Sequence, residues 1–147
     1  MTRLPFFPAL ITAAAFAAGA ASADVTPKIE IVGDGMPQPL AAGDAERGRV
    51  LLVERAAANC TLCHAFPDPA LRVAGNVGPS LAGASTRFTP AQLRLRIADI
   101  QRIHPGAVMP SYYRTEALDR VAPEYRGKPI LDAQQLEDLV AYLERLK

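Results

Sequence analysis

Five consecutive residues constrain this chain more than any others: Cys60-Thr61-Leu62-Cys63-His64 contain both of its cysteines and one of its two histidines. C-x-x-C-H is the attachment spacing of c-type haem. Two thiols three positions apart can each add across one vinyl group of the porphyrin, and the next side chain then lies under the ring. There an imidazole nitrogen can take the proximal iron position. A dithiol redox pair is the first alternative, but it belongs beside a βαβ pattern, which this neighbourhood lacks. A structural zinc site wants four ligands, and His104 is the only other candidate, at unsuitable spacing. A plain disulfide in an oxidising compartment is the remaining alternative.

The N-terminus speaks to compartment. Arg3 is followed by an apolar stretch from Leu4 to Ala20 and then by Ala21-Ser22-Ala23, the layout of a secretory signal peptide with a small-x-small cleavage site. The run is short for a membrane span, and Pro5 and Pro8 interrupt its start. Residues 1–23 are therefore expected to be removed, which takes the chain from 147 residues to 124. No other segment is long and apolar enough to span a bilayer. A periplasmic location agrees with the haem motif, because c-type cytochromes acquire haem outside the bacterial cytoplasm.

Of the 16 basic residues only Arg3 leaves with the signal, which gives 15 against 15 acidic residues. That balance gives no reason to expect nucleic acid or a charged membrane surface as partner. There is no Trp, and three of the five Phe lie in the signal. The chain is thus poor in large apolar side chains, a deficit that an embedded porphyrin would fill.

Residues 24–43 are punctuated by Pro27, Gly33, Gly35, Pro37 and Pro39 and read as an extended N-terminal arm, whose Ile29, Ile31 and Val32 could lie against the domain or a partner. The domain proper is expected over 44–147. Asp44 is a good helix N-cap, and Ala45, Gly48, Leu52 and Ala56 recur at helical spacing towards the cysteines. Thr89-Pro90-Ala91-Gln92 is a capping box with proline at the first helical position, and Phe88 with Leu93 is its hydrophobic staple. Leu93, Ile97 and Ile100 then share the buried face, with Arg94, Gln101 and Arg102 outward. Asp132-Ala133-Gln134-Gln135 repeats the box, with Leu131 and Leu136 as staple. Leu136, Leu139, Val140, Leu143 and Leu146 form the last buried stripe, leaving Glu137, Asp138, Glu144 and Arg145 to solvent. No alternating run argues for a sheet.

This order is all-α and resembles the small cytochrome c fold, in which the first and last helices cross over a small residue and an aromatic. Gly48 and Tyr142 are placed to supply that pair. In such a fold the sixth iron ligand comes from a loop well beyond the haem motif. Met36 lies upstream, whereas Met109, 45 positions after His64, stands beside the stiffening Pro110. Met109 is favoured over His104, since Met/His is an established haem ligation. Similar Gly-Pro-x-Leu loops in cytochromes c pack against the haem, and the proline carbonyl accepts the proximal imidazole's N–H. Carried over, that role falls to Pro79 in Gly78-Pro79-Ser80-Leu81. With both axial positions filled, electron transfer becomes the default role.

From Gly75 onward, GNVGPSLAG, FTPAQLRLRIADI, VMPSYYRTEALDRVAPEYRGKPIL and DAQQLEDLVAYL are similar to SoxX, the monohaem cytochrome subunit of the bacterial sulfur-oxidising system. The resemblance implies one covalently bound haem c on Cys60 and Cys63, with His64 and Met109 as axial ligands. It implies a heterodimer with a SoxA-like c-type cytochrome that acts as an L-cysteine S-thiosulfotransferase on a SoxYZ-like carrier. The thiosulfate chemistry is then expected in the partner, and electrons pass through this chain to a downstream acceptor. Tyr112, Tyr113 and Tyr125 with Arg114, Arg120 and Arg126 would line the haem edge or meet the partner. Arg72, Arg87 and Arg102 are the candidates for haem propionates. Two other functions fit less of the sequence. A free-standing periplasmic cytochrome c would keep fold and ligands. A ligand-binding cytochrome c′ would carry its haem motif near the C-terminus, whereas 83 residues follow His64 here.

Overall fold

Among the described residues four α-helices follow one another: α1 (Ala45–Leu51), α2 (Ala84–Arg87), α3 (Pro90–Asp99) and α4 (Ala133–Leu143). Short 3-10 turns lie at Cys60–Leu62, Ile100–Arg102 and Pro123–Tyr125. The computed structural model describes residues 30–71 and 75–147; the expected signal peptide, Ile29 and Arg72 lie outside these. Among the described residues the only β feature is an isolated bridge between Val32 and Gly35.

The helix starts follow local chemistry. Asp44 Oδ1 accepts the otherwise unpaired N–H groups of Glu46 and Arg47 at 2.9 and 3.0 Å. Thr89 and Gln92 close the capping box in both directions at α3, and Asp132 and Gln135 do so at α4. α1 is shorter than its periodicity suggests. It ends at Leu51, Ala56 is exposed, and the chain turns back so that Thr61 N–H reaches the Leu52 carbonyl at 3.3 Å.

α1 and α4 cross closely because position 48 is glycine. A Cβ there would strike the Asp138 carbonyl and lie 3.1 Å from Leu139 N. The nearest approach is thus to α4 backbone one turn before Tyr142. Tyr142 is buried and pairs with Phe66 at 6.5 Å between ring centroids. Leu52, Leu95, Leu131, Leu136 and Leu139 are each at most 1% exposed. Each such burial removes roughly 1.5–3 kcal/mol of unfavourable hydration.

Three charged side chains expected in solvent are inside. Arg94, Glu137 and Asp138 are 5%, 3% and 2% exposed. Arg94 donates from Nε and Nη2 to both Glu137 oxygens at 2.6 and 2.8 Å, and from Nη1 to the Met36 carbonyl. Glu137 also accepts Leu40 N–H at 3.0 Å. Asp138 accepts from Arg47, Asp44 N–H and Gln134. The pairs are filled by hydrogen bonds from every side, which is the condition under which a buried charge survives. The covering layer is the arm. Met36, 1% exposed, donates its N–H to the Ala91 carbonyl, so residues 34–44 seal α3 and α4 instead of standing off as an extension. Ile31 and Val32, further out, remain 36% and 60% exposed.

Candidate haem-binding site

Asn59, in the left-handed region at φ 44°, bends the chain into the 3-10 turn that carries the motif. Cys63 and His64 both direct their N–H groups to the Cys60 carbonyl, at 3.1 and 2.9 Å. One tight turn therefore presents two thiols and an imidazole together. Both cysteines are free and partly buried. Burial pushes the Cys60 thiol up to about 12. A catalytic or redox dithiol requires the opposite shift, because the thiolate is the reactive form.

His64 is held from one side. Its Nδ1 lies 2.7 Å from the Pro79 carbonyl, which accepts only if Nδ1 carries the proton. Nε2 then has a free lone pair, and it makes no hydrogen bond among the described residues. Gly78 lies over the ring: a Cβ there would stand 2.7 Å from Nδ1 and 2.8 Å from Nε2. Gly78 N–H bonds the Cys63 carbonyl at 2.8 Å and Leu81 N–H the Ala65 carbonyl at 2.9 Å, so the 78–81 loop is laced onto the motif.

Met109 is half-buried between exposed Val108 and Pro110. Its segment is tied to the motif by Tyr112, three residues on. The Tyr112 hydroxyl donates to the Ala58 carbonyl at 2.8 Å, and its own carbonyl accepts the N–H groups of Ile130 and Leu131. Burial raises the Tyr112 pKa, helped by the neighbouring Cys60 and Cys63 thiols, which places the phenol beside both attachment positions. His104 is exposed at the end of the Ile100–Arg102 turn. Met36 is core packing.

The tyrosines divide. Tyr113 is buried and Tyr112 half-buried, whereas Tyr125 lines an open depression of about 480 Å³ with Pro110, Ser111 and Lys128. Arg114 pairs with Asp99 at 3.1 Å and Gln101 at 2.7 Å, leaving Arg120 and Arg126 exposed. Of the candidates for propionates, Arg102 pairs loosely with Asp99 at 3.5 Å. Arg87 is committed to the carbonyls of Ser80 and Ala82 at 3.0 and 2.5 Å. The Arg87 bonds reach only five and seven residues back and the Tyr112 strut spans 54, but each is a side chain on a backbone carbonyl, and no sequence signal announces either.

The donor set fits a c-type haem. It comprises two thiols on one turn, an imidazole whose Nε2 is free, a clearance over the ring that only glycine allows, and a thioether on a segment tied back to the same turn. Leu62, Val77 and Val108 are 66%, 70% and 86% exposed beside the motif, its downstream loop and Met109. Exposed apolar side chains at these places suit a large flat apolar group.

The comparisons with known proteins agree with this reading. The family model described as Cytochrome c matches residues 45–147. A chain of the crystal structure of SoxXA from P. pantotrophus superposes with a TM-score of 0.74 at 34% identity, covering 81% of this chain and 94% of that one. No curated protein sequence matches this chain significantly.

Proposed function

The chain belongs to the cytochrome c family and is SoxX-like, and from that premise we propose that it is the monohaem electron-transfer subunit of a thiosulfate-oxidising complex. The observation that carries the reading is the likeness to a SoxXA chain across 94% of that chain's length. Its partner is a SoxA-like c-type cytochrome, and the pair couples thiosulfate to a cysteine of a SoxYZ-like carrier. In that coupling an S–S bond forms, the carrier thiol loses its proton and two electrons leave. With one C-x-x-C-H and no other cysteine, this chain has no thiol left for the coupling itself. Its share is to take up electrons and release them to a downstream acceptor. We place it in the periplasm, with residues 1–23 removed on export; no helix among the described residues is long and apolar enough to cross a membrane.

When bound, haem c supplies a one-electron iron couple. Cys60 and Cys63 fix it covalently, so that it stays with the chain through repeated turnover. His64 Nε2 would ligate the iron, and the hydrogen bond from Nδ1 to the Pro79 carbonyl orients the ring and raises the basicity of Nε2. Met109 would supply the second protein ligand, and a thioether would raise the potential relative to a second imidazole.

Mild affinity purification of the tagged chain from its native periplasm tests the assignment. A stoichiometric second c-type cytochrome is the expected companion. Recovery of a lone haem protein would move the function to a diffusing carrier that serves a terminal oxidase.

A further inference from the structure

We infer that Arg87 is a positioning residue for the proximal ligand: its guanidinium locks the loop whose Pro79 carbonyl holds His64. The inference rests on the reading of His64 as iron ligand and goes beyond it. Arg87 closes α2, four residues long, and turns back over the loop before it. Nη2 donates to the Ser80 carbonyl at 3.0 Å and Nη1 to the Ala82 carbonyl at 2.5 Å. The 78–82 backbone is then pinned at four of its five residues: Gly78 N–H on Cys63, Ser80 C=O on Arg87, Leu81 N–H on Ala65, and Ala82 C=O on Arg87. The Pro79 carbonyl lies between the first two of these, 2.7 Å from His64 Nδ1.

The planar fork of arginine is what makes this possible. Two parallel donors at fixed separation bridge two carbonyls two residues apart, which a lysine ammonium cannot match. α2 is in turn anchored to the C-terminus, because Ser85 donates from both N–H and Oγ to the Leu146 carbonyl at 3.0 and 2.9 Å. The chain of restraint runs from the C-terminal residues through α2 and Arg87 to the 79–82 loop and the imidazole. Outer partners of a ligating histidine set its orientation and its basicity. Arg87 therefore bears on the iron potential without touching the haem.

The test compares haem-loaded Arg87→Ala, Arg87→Lys and Ser85→Ala with the wild type. The first readout is midpoint potential. The second is solvent exchange of the His64 Nδ1 proton in the reduced protein, followed by NMR. Losing Arg87 lets the Pro79 carbonyl drift and weakens its hold on Nδ1–H, which lowers ligand basicity and destabilises the ferric state. Arg87→Ala is expected to raise the potential and to speed exchange by about tenfold, the factor that weakening one hydrogen bond allows. Arg87→Lys shifts both in the same direction by less. Ser85→Ala loses only the Oγ bond and keeps the backbone bond to Leu146, so α2 stays anchored: it lowers the melting temperature slightly and leaves potential and exchange where they were. If Arg87→Ala fails to fold, Arg87→Lys decides. A folded Arg87 variant with wild-type potential and exchange overturns the inference, whereas a wild-type chain without covalent haem would overturn the reading beneath it.

Discussion

The two sides of the candidate haem site are built differently. On the proximal side, from Cys60 to Arg87, nearly every turn is stitched to the next: His64 to Pro79, Gly78 to Cys63, Leu81 to Ala65, Arg49 to Asp68, and Arg87 to Ser80 and Ala82. On the distal side, from Ile103 to Lys128, more of the chain is exposed, with Val108 86% open; the residues after Met109 are held by Ser111 to Asp99, Tyr112 to Ile97 and Ala58, and Tyr113 to Ala98, but Met109 itself stands between exposed Val108 and Pro110. Ala117 and Arg120 there adopt φ of 50° and 54°, left-handed conformations that L side chains rarely take. On the proposed ligation, an imidazole on a tightly laced loop and a thioether flanked by exposed residues would form unequal bonds. The distal bond is the one that should open first.

That inequality can be broken or sharpened by mutation. The largest effect belongs to the attachment turn: replacing Cys60 and Cys63 by serine should abolish covalent haem, as seen by haem staining after denaturing electrophoresis. Met109→Ala is next. It should keep the haem covalently attached, remove the ferric thioether-to-iron charge-transfer band and admit carbon monoxide to the reduced iron. Retention of the band would move the sixth ligand elsewhere. Arg94→Met probes the scaffold beneath both sides. It strands Glu137 as an uncompensated buried charge and should lower stability by about 3–5 kcal/mol in denaturant titrations, while Arg94→Met with Glu137→Leu recovers much of the loss. Tyr112→Phe removes one hydrogen bond worth about 1 kcal/mol. Its distinguishing sign is a weakened charge-transfer band at unchanged haem attachment.

The smallest effect is a pH dependence of the proximal side. The Arg49 guanidinium and Ala70 N–H hold the Asp68 carboxyl below its ordinary value of 3.8. A carboxylate depressed in the folded state adds stability that is present above the ordinary value and fades as pH falls through the lowered one. Melting temperature should therefore drop below about pH 4, and Asp68→Asn should flatten part of that drop.

Much of this architecture was legible in the residues. Asp44, Thr89 with Gln92, and Asp132 with Gln135 mark helix starts through contacts only two or three residues long, so the sequence carries both partners side by side. The close approach at Gly48 was legible too, and its nearest neighbours are α4 backbone atoms of Asp138 and Leu139. Arg94, Glu137 and Asp138 were misread as a wet face. Apart from Gln134, four residues before Asp138, their partners lie 43 or more residues away, or come from the arm, and helical periodicity cannot see either. For the same reason the middle helix is buried around most of its circumference, Leu95 included, and not along one stripe. Arg87 illustrates the limit at the site. Its identity invites an anionic partner, and only the fold reveals that it holds two carbonyls.

Reduction of this chain's haem by thiosulfate tests the account most directly. The purified chain with its cytochrome partner, oxidised and kept free of air, receives thiosulfate with or without the cysteine-bearing carrier. The account predicts that the absorption bands of reduced haem c grow only when thiosulfate and carrier are both present. A haem that dithionite reduces but that stays ferric with thiosulfate, carrier and partner together would contradict it.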